Sequence, residues 1–484
     1  MPPTKLKRPS NPKNTATGKP KLADVWEGYQ QRAAEFLVSR MSGGLLLDPG
    51  MGKTAIALKT FMVLRSKGKV KSALVVAPLR PAFSVWSKEM PRSESNKWHE
   101  FRNLRVEMLH GPDKDAALER EADLYVINPE GLQWLVAARK RVKRRWDLLI
   151  VDESTKFKRS NTKRFKLLRQ LLGTIPRRWI LTGTPRPQGL EDLFGQIYIL
   201  DEGKALGRYI THYRNYYFYP TGYGGYTYMP FDWAEDAIYE KLRPLVLRMA
   251  SEDYQTLPPL IENEVWLELP DDVKPVYEQV EKDLFVDLDE GNVVASTAGV
   301  ASMKCRQIAA GGVFYTESRQ RERWEQLHLV KAEATLEILE ELQGQPALIA
   351  YYFEHDLERL RKVLGKDVPH LGGGVSKQQA AMIENAWNAG DLPALMVQPG
   401  SAAHGLNLQE TGRAIIWHSP TWDLEHYIQL IHRLWRKGQQ HRVVNHRLIM
   451  SGTIEEAMYR GLGKKNRGQQ SMFDALKDYR KSRR

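Results

Sequence analysis

Short apolar runs alternate with longer stretches of mixed polarity along most of this chain. Runs at 45–47, 73–78, 124–128, 148–153 and 178–184 form a first series, and runs at 347–352, 394–398, 414–418 and 443–449 form a second. Such runs are too short for helices, and they suit parallel strands covered on both faces. The stretches between them carry apolar residues at helical spacing, for example at 333–342 and 377–388. Repeated β–α alternation predicts a doubly wound α/β sheet, and the gap between the two series predicts two such lobes.

Residues 206–232, GRYITHYRNYYFYPTGYGGYTYMPFDW, break the pattern. No helical or strand period persists there, so the stretch reads as a long connecting loop or a small subdomain packing its own aromatics. A surface on which bases stack is the rival reading. The opening residues, rich in Pro, Lys, Thr and Asn, read as a disordered basic tail. The expected organisation is therefore a tail at 1–22, a first lobe at 23–205, a Tyr/Gly-rich connecting subdomain and linker at 206–262, a second lobe at 263–464 and a basic tail at 465–484. A short helix is expected in that last tail, around 472–476.

Composition narrows the function. The 484 residues are 42% hydrophobic and 27% charged, as in globular proteins. No apolar run reaches the ~18 residues of a membrane span, and no secretory signal opens the chain. The single cysteine, Cys305, excludes an internal disulfide framework and a cysteine-cluster zinc site, and it reads as a small buried hydrophobe. A cytoplasmic setting, in a bacterial or infected host cell, is expected. Lys plus Arg outnumber Asp plus Glu by 72 to 58, for a net charge of +14, which points to a polyanionic partner such as nucleic acid.

Candidate chemistry begins at GGLLLDPGMGKTAIALKTF, residues 43–61. A strand, a tight glycine turn and a helix follow in order, although Leu47 stands where the full Walker pattern has a glycine. Gly50 and Gly52, with Met51 between them, let backbone N–H groups converge on phosphate oxygens. The helix start adds a positive dipole end. Lys53 would reach the outer phosphates, and Thr54 would hold Mg²⁺. A second strand, in WDLLIVDESTKFK, carries Asp152 and Glu153 to its tip. Asp152 would bind Mg²⁺, and Glu153 would orient or deprotonate the attacking water. Arg433 and Arg436, three residues apart, would share a helix face and could reach phosphate bound on the first lobe.

Seven segments in order resemble superfamily 2 helicase-like ATPases, and within them the Swi/Snf type of DNA translocase. YQQRAAEF (29–36) resembles that family's adenine-reading element, with Gln30 on the base. VVAPLRPAFSVWSKEM (75–90) resembles its next segment. ILTGTPRPQGLEDLF (180–194) resembles the coupling motif, with Thr182, Gly183 and Thr184 in place. HGLNL (404–408) and YIQLIHRLWRKGQ (427–439) resemble the last two motifs, the second carrying Gln429, Arg433 and Arg436. In that family the loop usually has no glycine at the position of Leu47. The resemblance spans about residues 25–460 and implies two RecA-like lobes in tandem, with an ATP cleft between them. It implies ATP and Mg²⁺ as cofactors, and residues 30, 50–54 and 429 as nucleotide contacts.

Three departures stand out. Ser154 and Thr155 replace the Ala-His that often follows Asp-Glu, so the link between hydrolysis and movement is expected to be wired differently. Ala402 and Ala403 stand where glycines are usual. No large insert or appended module is evident, as in minimal motors carried by bacterial viruses. The expected partner is DNA, gripped by its phosphates through Arg80, Lys88, Lys156, Lys158 and Arg159, and the expected state is a monomer. The expected activity is a DNA-stimulated ATPase tracking along duplex. The alternatives are a strand-separating helicase and a non-catalytic nucleic-acid-binding protein with a degenerate site.

Overall fold

The computed structural model describes residues 27–82, 85–86, 101–139, 145–183, 185–186, 189–221, 227–254, 257–289, 295–317, 321–402, 408–436 and 438–466. The first tail and residues 467–484 of the second, including the helix expected at 472–476, lie outside them. In chain order the strands are β1 (Ser42–Leu47), β2 (Ala73–Val76), β3 (Val106–Met108), β4 (Leu124–Ile127), β5 (Leu148–Asp152), β6 (Arg177–Thr182), β7 (Phe218–Thr221), β8 (Thr227–Pro230) and β9 (Val246–Met249). They continue with β10 (Leu260–Leu267), β11 (Gly312–Glu317), β12 (Arg321–Gln326), β13 (Ala347–Ala350), β14 (His370–Leu371), β15 (Ala394–Val397), β16 (Ala414–Trp417) and β17 (Val443–Met450).

Two parallel sheets result. The first has the order β3-β4-β2-β5-β6-β1-β9, and the second β10-β17-β16-β13-β15-β14. Helices cover both faces, so each strand feeds two cores. Leu46, Leu149 and Val151 pack into one core, while Leu45, Leu47, Leu148 and Ile150 pack into the other. The second sheet divides in the same way, with Leu348, Ile415 and Trp417 on one side and Ile349, Ala414 and Ile416 on the other. This two-sided burial is why these strands read as continuous apolar runs. The architecture is the expected pair of doubly wound α/β lobes.

The expected boundaries change. Residues 206–262 are not a separate unit between the lobes. They contain the helix Ile210–Tyr217 and the hairpin β7–β8, where no regular element was expected. Tyr213, Tyr217, Phe218, Ile238 and Leu242 are buried in the first lobe's core, and β9 then pairs with β1 at the sheet edge. The second sheet opens with β10, so the crossing between lobes lies between Met249 and Leu260. Local periodicity failed here because aromatic packing, not an apolar stripe, holds the segment. The rings of Phe231 and Trp233, for example, stack 5.7 Å apart. β10 was not foreseen either. It is an edge strand, LIENEVWL, largely exposed and rich in charge, and eight residues of pairing with β17 create it. Among the described residues, no helix is long and apolar enough to cross a membrane.

Candidate active site between the lobes

Every strand tip that matters lies at the same end of a parallel sheet. β1 ends in Asp48-Pro49-Gly50-Met51-Gly52, and the helix Lys53–Ser66 follows. Gly50 and Gly52 have φ of +86° and +78°. Side chains are disfavoured there, and space is short as well. A Cβ on Gly52 would stand 2.8 Å from Nε2 of Gln30, and one on Gly50 would stand 3.0 Å from Cβ of Arg436. Gln30 therefore sits against the loop. Met51 is fully buried, and its carbonyl accepts a hydrogen bond from the Tyr29 hydroxyl at 3.2 Å. Thr54 is the half-buried second residue of the helix.

Lys53 bends back over its own loop. Its ammonium donates to the carbonyls of Leu47 at 2.8 Å and Asp48 at 3.2 Å. Asp48 is tied down in turn, accepting from the backbone N–H (2.8 Å) and hydroxyl (3.1 Å) of Ser251. Burial pulls the Lys53 pKa down, against the opposing pull of Glu153, Asp152 and Asp48.

At the tip of β5, Asp152 is buried. It accepts from the Trp86 indole N–H at 2.8 Å through Oδ2, and from the Glu153 N–H at 3.1 Å through Oδ1. Burial raises its pKa, while Trp86 and Lys53 oppose the rise. Glu153 is a non-glycine residue in the left-handed region, at φ 49° and ψ 59°. Such strain persists only where the surroundings enforce it, and it gathers at functional sites. Burial lifts the Glu153 carboxyl to about 7; Lys53 counters the rise, and the charges of Asp152 and Glu425 reinforce it. Its Oε2 is enclosed and accepts no hydrogen bond among the described residues.

β6 delivers Thr182 and Gly183 beside this loop. Thr182 is fully buried, and a Cβ on Gly183 would stand 2.9 Å from the ring of Pro49. Thr184 lies outside the described residues. Sequence reasoning missed Gln196. It accepts from the Ser154 hydroxyl at 2.7 Å and donates to the Pro185 carbonyl at 2.5 Å, joining the acidic strand tip to the β6 exit. Trp86 lies in the 75–90 segment that resembles a family motif, but its bond to Asp152 was not foreseen. Nothing in local spacing reveals either contact.

The second lobe contributes the helix Leu424–Leu434. Gln429 is buried, and Arg433 lies near enough to act electrostatically on both Lys53 and Glu153. Arg436 corrects one expectation. The helix ends at Leu434, so the two arginines do not share a helix face. The chain turns at Trp435, whose indole N–H donates to the Pro258 carbonyl at 2.7 Å, and this turn brings Arg436 against Gly50. His432 is buried beside them, its pKa pushed down to about 4 by desolvation. Beside the loop, a pocket is bounded by Leu46, Asp48, Gly183 and Met249 of the first lobe and by Leu424 and Ile428 of the second.

The residues fit a triphosphate with a divalent cation. The glycine cradle has no room for a Cβ and stands against Arg436, and two buried carboxylates at one strand tip lie within reach of Lys53, the second also of Arg433. Gln30 stands against Gly52 and Arg436 against Gly50, while Arg433 lies within electrostatic reach of Lys53 and Glu153. The candidate DNA contacts fare differently. Lys158 is only 19% exposed and pairs with Asp192 at 3.4 Å, which makes it a structural partner rather than a free surface cation. Lys156 is half-buried and Arg159 exposed. Lys88, the side chain of Arg80 and the segment 403–407 lie outside the described residues.

Residues 29–326 match the SNF2-related domain, and residues 330–438 match the helicase conserved C-terminal domain. Protein p41 of Acyrthosiphon pisum secondary endosymbiont phage 1 is 32% identical over 468 residues, covering 93% of this chain and 98% of that protein. The CHD3-type chromatin-remodeling factor PICKLE of Arabidopsis thaliana is 24% identical over 90% of this chain and 33% of its own length. The DNA repair and recombination protein RAD54B of Gallus gallus is 24% identical over 91% of this chain and 53% of its own length. Thus the chain spans nearly all of the phage protein but about half or less of the two eukaryotic ones. A solved Sulfolobus solfataricus SWI2/SNF2 ATPase core in complex with dsDNA is 21% identical, covers 93% of this chain and 92% of that one, and has a TM-score of 0.43.

Proposed function

The chain belongs to the SNF2-related family of superfamily 2 helicase-like proteins, and on that premise we propose that it is an ATP-driven motor that tracks along double-stranded DNA without routinely separating the strands. One observation carries the reading. The loop at Gly50 and the turn at Arg436 belong to different lobes, yet only 3.0 Å separates the Cβ of Arg436 from where a Gly50 Cβ would stand. Neither lobe holds a complete set of phosphate-binding groups alone.

Within this reading, Lys53 exchanges its contacts with the Leu47 and Asp48 carbonyls for the outer phosphates of ATP. Thr54 and Asp152 would hold Mg²⁺, which supplies charge neutralisation and Lewis-acid polarisation of phosphate oxygens when bound. Trp86 orients the Asp152 carboxylate for that task. Glu153 is the base, with a pKa close to neutral, as a proton acceptor in water-mediated hydrolysis requires. Gln429 keeps its Oε1 buried and without a hydrogen bond among the described residues, as Glu153 keeps its Oε2. Both are acceptors, and one water has two O–H groups to give. Arg433 and Arg436 stabilise charge from the second lobe, an effect of roughly 10³–10⁵ in rate for arginine fingers.

ATP contacts both walls and so favours the closed arrangement, and hydrolysis removes that preference. Alternating closure would step the two lobes along a phosphate backbone. The proposal extends to a monomeric state and to a sequence-independent grip. If about five phosphates are neutralised, log K falls with log salt at a slope of about −4 to −5.

The decisive experiment compares ATPase rates on duplex, single-stranded and forked DNA and on RNA, beside triplex-displacement and strand-separation assays. Stimulation by duplex, with displacement but no unwinding, is expected. Unwinding of a plain duplex would favour the strand-separating alternative. Lys53→Ala and Glu153→Gln should abolish turnover while leaving DNA binding intact, and turnover retained in Glu153→Gln would refute the base assignment.

A further inference from the structure

Glu425 is a charged residue in the first turn of the Leu424–Leu434 helix, yet it is only 8% exposed. It faces no cation at salt-bridge distance among the described residues. Its Oε1 instead accepts two neutral hydrogen bonds. One comes from the Thr155 hydroxyl of the first lobe at 3.0 Å, and the other from Nε2 of Gln429, one turn along its own helix, at 3.1 Å. All three side chains are buried, Thr155 at 4% and Gln429 at 2% exposure.

A buried carboxylate without a cation is costly unless its hydrogen bonds repay the desolvation. Here those bonds do two things. Nε2 of Gln429 is pinned to Glu425, so the amide cannot flip, and its Oε1 is left as the free end. The same carboxylate oxygen is held by Thr155, two residues after Glu153 and on the other side of the cleft. Thr155 stands where the usual Asp-Glu-Ala-His pattern has its histidine.

We propose that Glu425 is a positioning residue: by joining Thr155 to Gln429 it sets the Gln429 amide in its working orientation only when the two lobes are closed. With the lobes apart, Glu425 loses the Thr155 hydroxyl, and one of its two restraints is gone. Thr155 therefore reports closure to the second lobe through a hydroxyl, where relatives with a histidine would use an imidazole. The inference rests on reading the cleft as an ATP site.

The test uses the full chain with Glu425→Ala, Glu425→Gln, Thr155→Val and Thr155→Ser. Three quantities are measured: duplex-stimulated kcat and KM, affinity for a fluorescent non-hydrolysable ATP analogue, and lobe closure by energy transfer between dyes on Lys69→Cys and Glu358→Cys, both exposed positions. Glu425→Ala and Thr155→Val are each expected to lower kcat at least tenfold and to reduce the closed fraction, with analogue affinity changed less than threefold. Glu425→Gln keeps an oxygen that accepts both bonds and should recover most of the loss, as should Thr155→Ser. Glu425→Ala and Thr155→Val combined in one chain should be no worse than Glu425→Ala alone, because that substitution already removes the link to Thr155. An unchanged kcat and closed fraction in Thr155→Val would overturn the proposal. So would additive losses, or a loss in Glu425→Ala that Glu425→Gln fails to recover. If Glu425→Ala does not fold, the Thr155 pair decides alone. A chain that neither binds the analogue nor hydrolyses ATP would sink the motor reading instead, and closure without nucleotide would still compare Thr155→Val with the parent.

Discussion

Gly50→Ala probes the contact between the lobes most directly. The substitution adds one methyl group and no charge. At φ +86° an L-residue is strained, at a cost of roughly 1–2 kcal/mol. The new Cβ would also stand 3.0 Å from the Cβ of Arg436 and 3.9 Å from its Cα. Carbon atoms prefer about 3.5–4.0 Å, so the two walls must part by about 0.5–1 Å. No flexible side-chain end can swing aside, because the obstructing atom is next to the backbone. A misplacement of about 1 Å at a reacting centre can cost about 10²-fold in rate. The expected result is a kcat lowered about 10- to 100-fold, with a thermal midpoint lowered by only a few degrees, about 2–4 °C per kcal/mol for a lobe of this size. Gly52→Ala is the control. It carries similar backbone strain at φ +78°, but its Cβ meets Nε2 of Gln30, the far end of a flexible side chain. It should give a similar midpoint shift, a raised KM for ATP and a smaller loss of kcat. Steady-state ATPase assays with duplex DNA, beside calorimetry, measure all of this. If Gly50→Ala keeps the parent's kcat, or loses no more than Gly52→Ala, then Arg436 does not press on this loop in the hydrolysing state.

Three further outcomes follow from the same geometry. Trp86→Phe removes the 2.8 Å bond to Asp152 while keeping an aromatic ring, and should lower kcat by roughly 10- to 150-fold, in line with about 1.5–3 kcal/mol for a hydrogen bond to a charged group; an unchanged kcat would show that Asp152 needs no such restraint. Lys331→Met breaks a buried pair with Glu455 at 2.6 Å, both partners at 1% exposure or less, and should destabilise the second lobe by about 3–5 kcal/mol in a denaturant titration, whereas a shift below 1 kcal/mol would mean the lobe reorganises around the bare carboxylate. Burial holds His418 at about 3 and His328 at about 4, both below the ordinary histidine value, so each must gain a proton on unfolding in mild acid. Their contribution to stability is whole above about pH 6.5 and is lost as pH falls towards 4 and 3, at roughly 2 kcal/mol each by pH 5; a stability that stays flat from pH 7 to 5 would contradict this.

Much of the candidate site is specified locally and is therefore legible in sequence. Gly50 and Gly52 are required by a backbone turn, Lys53 and Thr54 by the helix that starts there, and Asp152 and Glu153 by the end of a strand buried on both faces. Each is specified within a dozen residues, as are the apolar runs that become β1, β2, β4, β5 and β6. The edge strands were not legible. β9 and β10 owe their existence to neighbours from distant parts of the chain, and the exposed, charged face of β10 hides any apolar signal.

The amino-acid sequence by itself determined that this protein has two doubly wound lobes and that its candidate phosphate-binding residues fall at strand tips, because strand burial and glycine turns are written in neighbouring residues. Only the tertiary structure decided that Arg436 reaches Gly50 from beyond its helix, that Trp86 holds Asp152, and that Glu425 joins Thr155 to Gln429. The contacts Trp86–Asp152, Thr155–Glu425 and Gly50–Arg436 join residues 66 to 386 positions apart, and no local pattern constrains a pairing that forms only when whole elements pack.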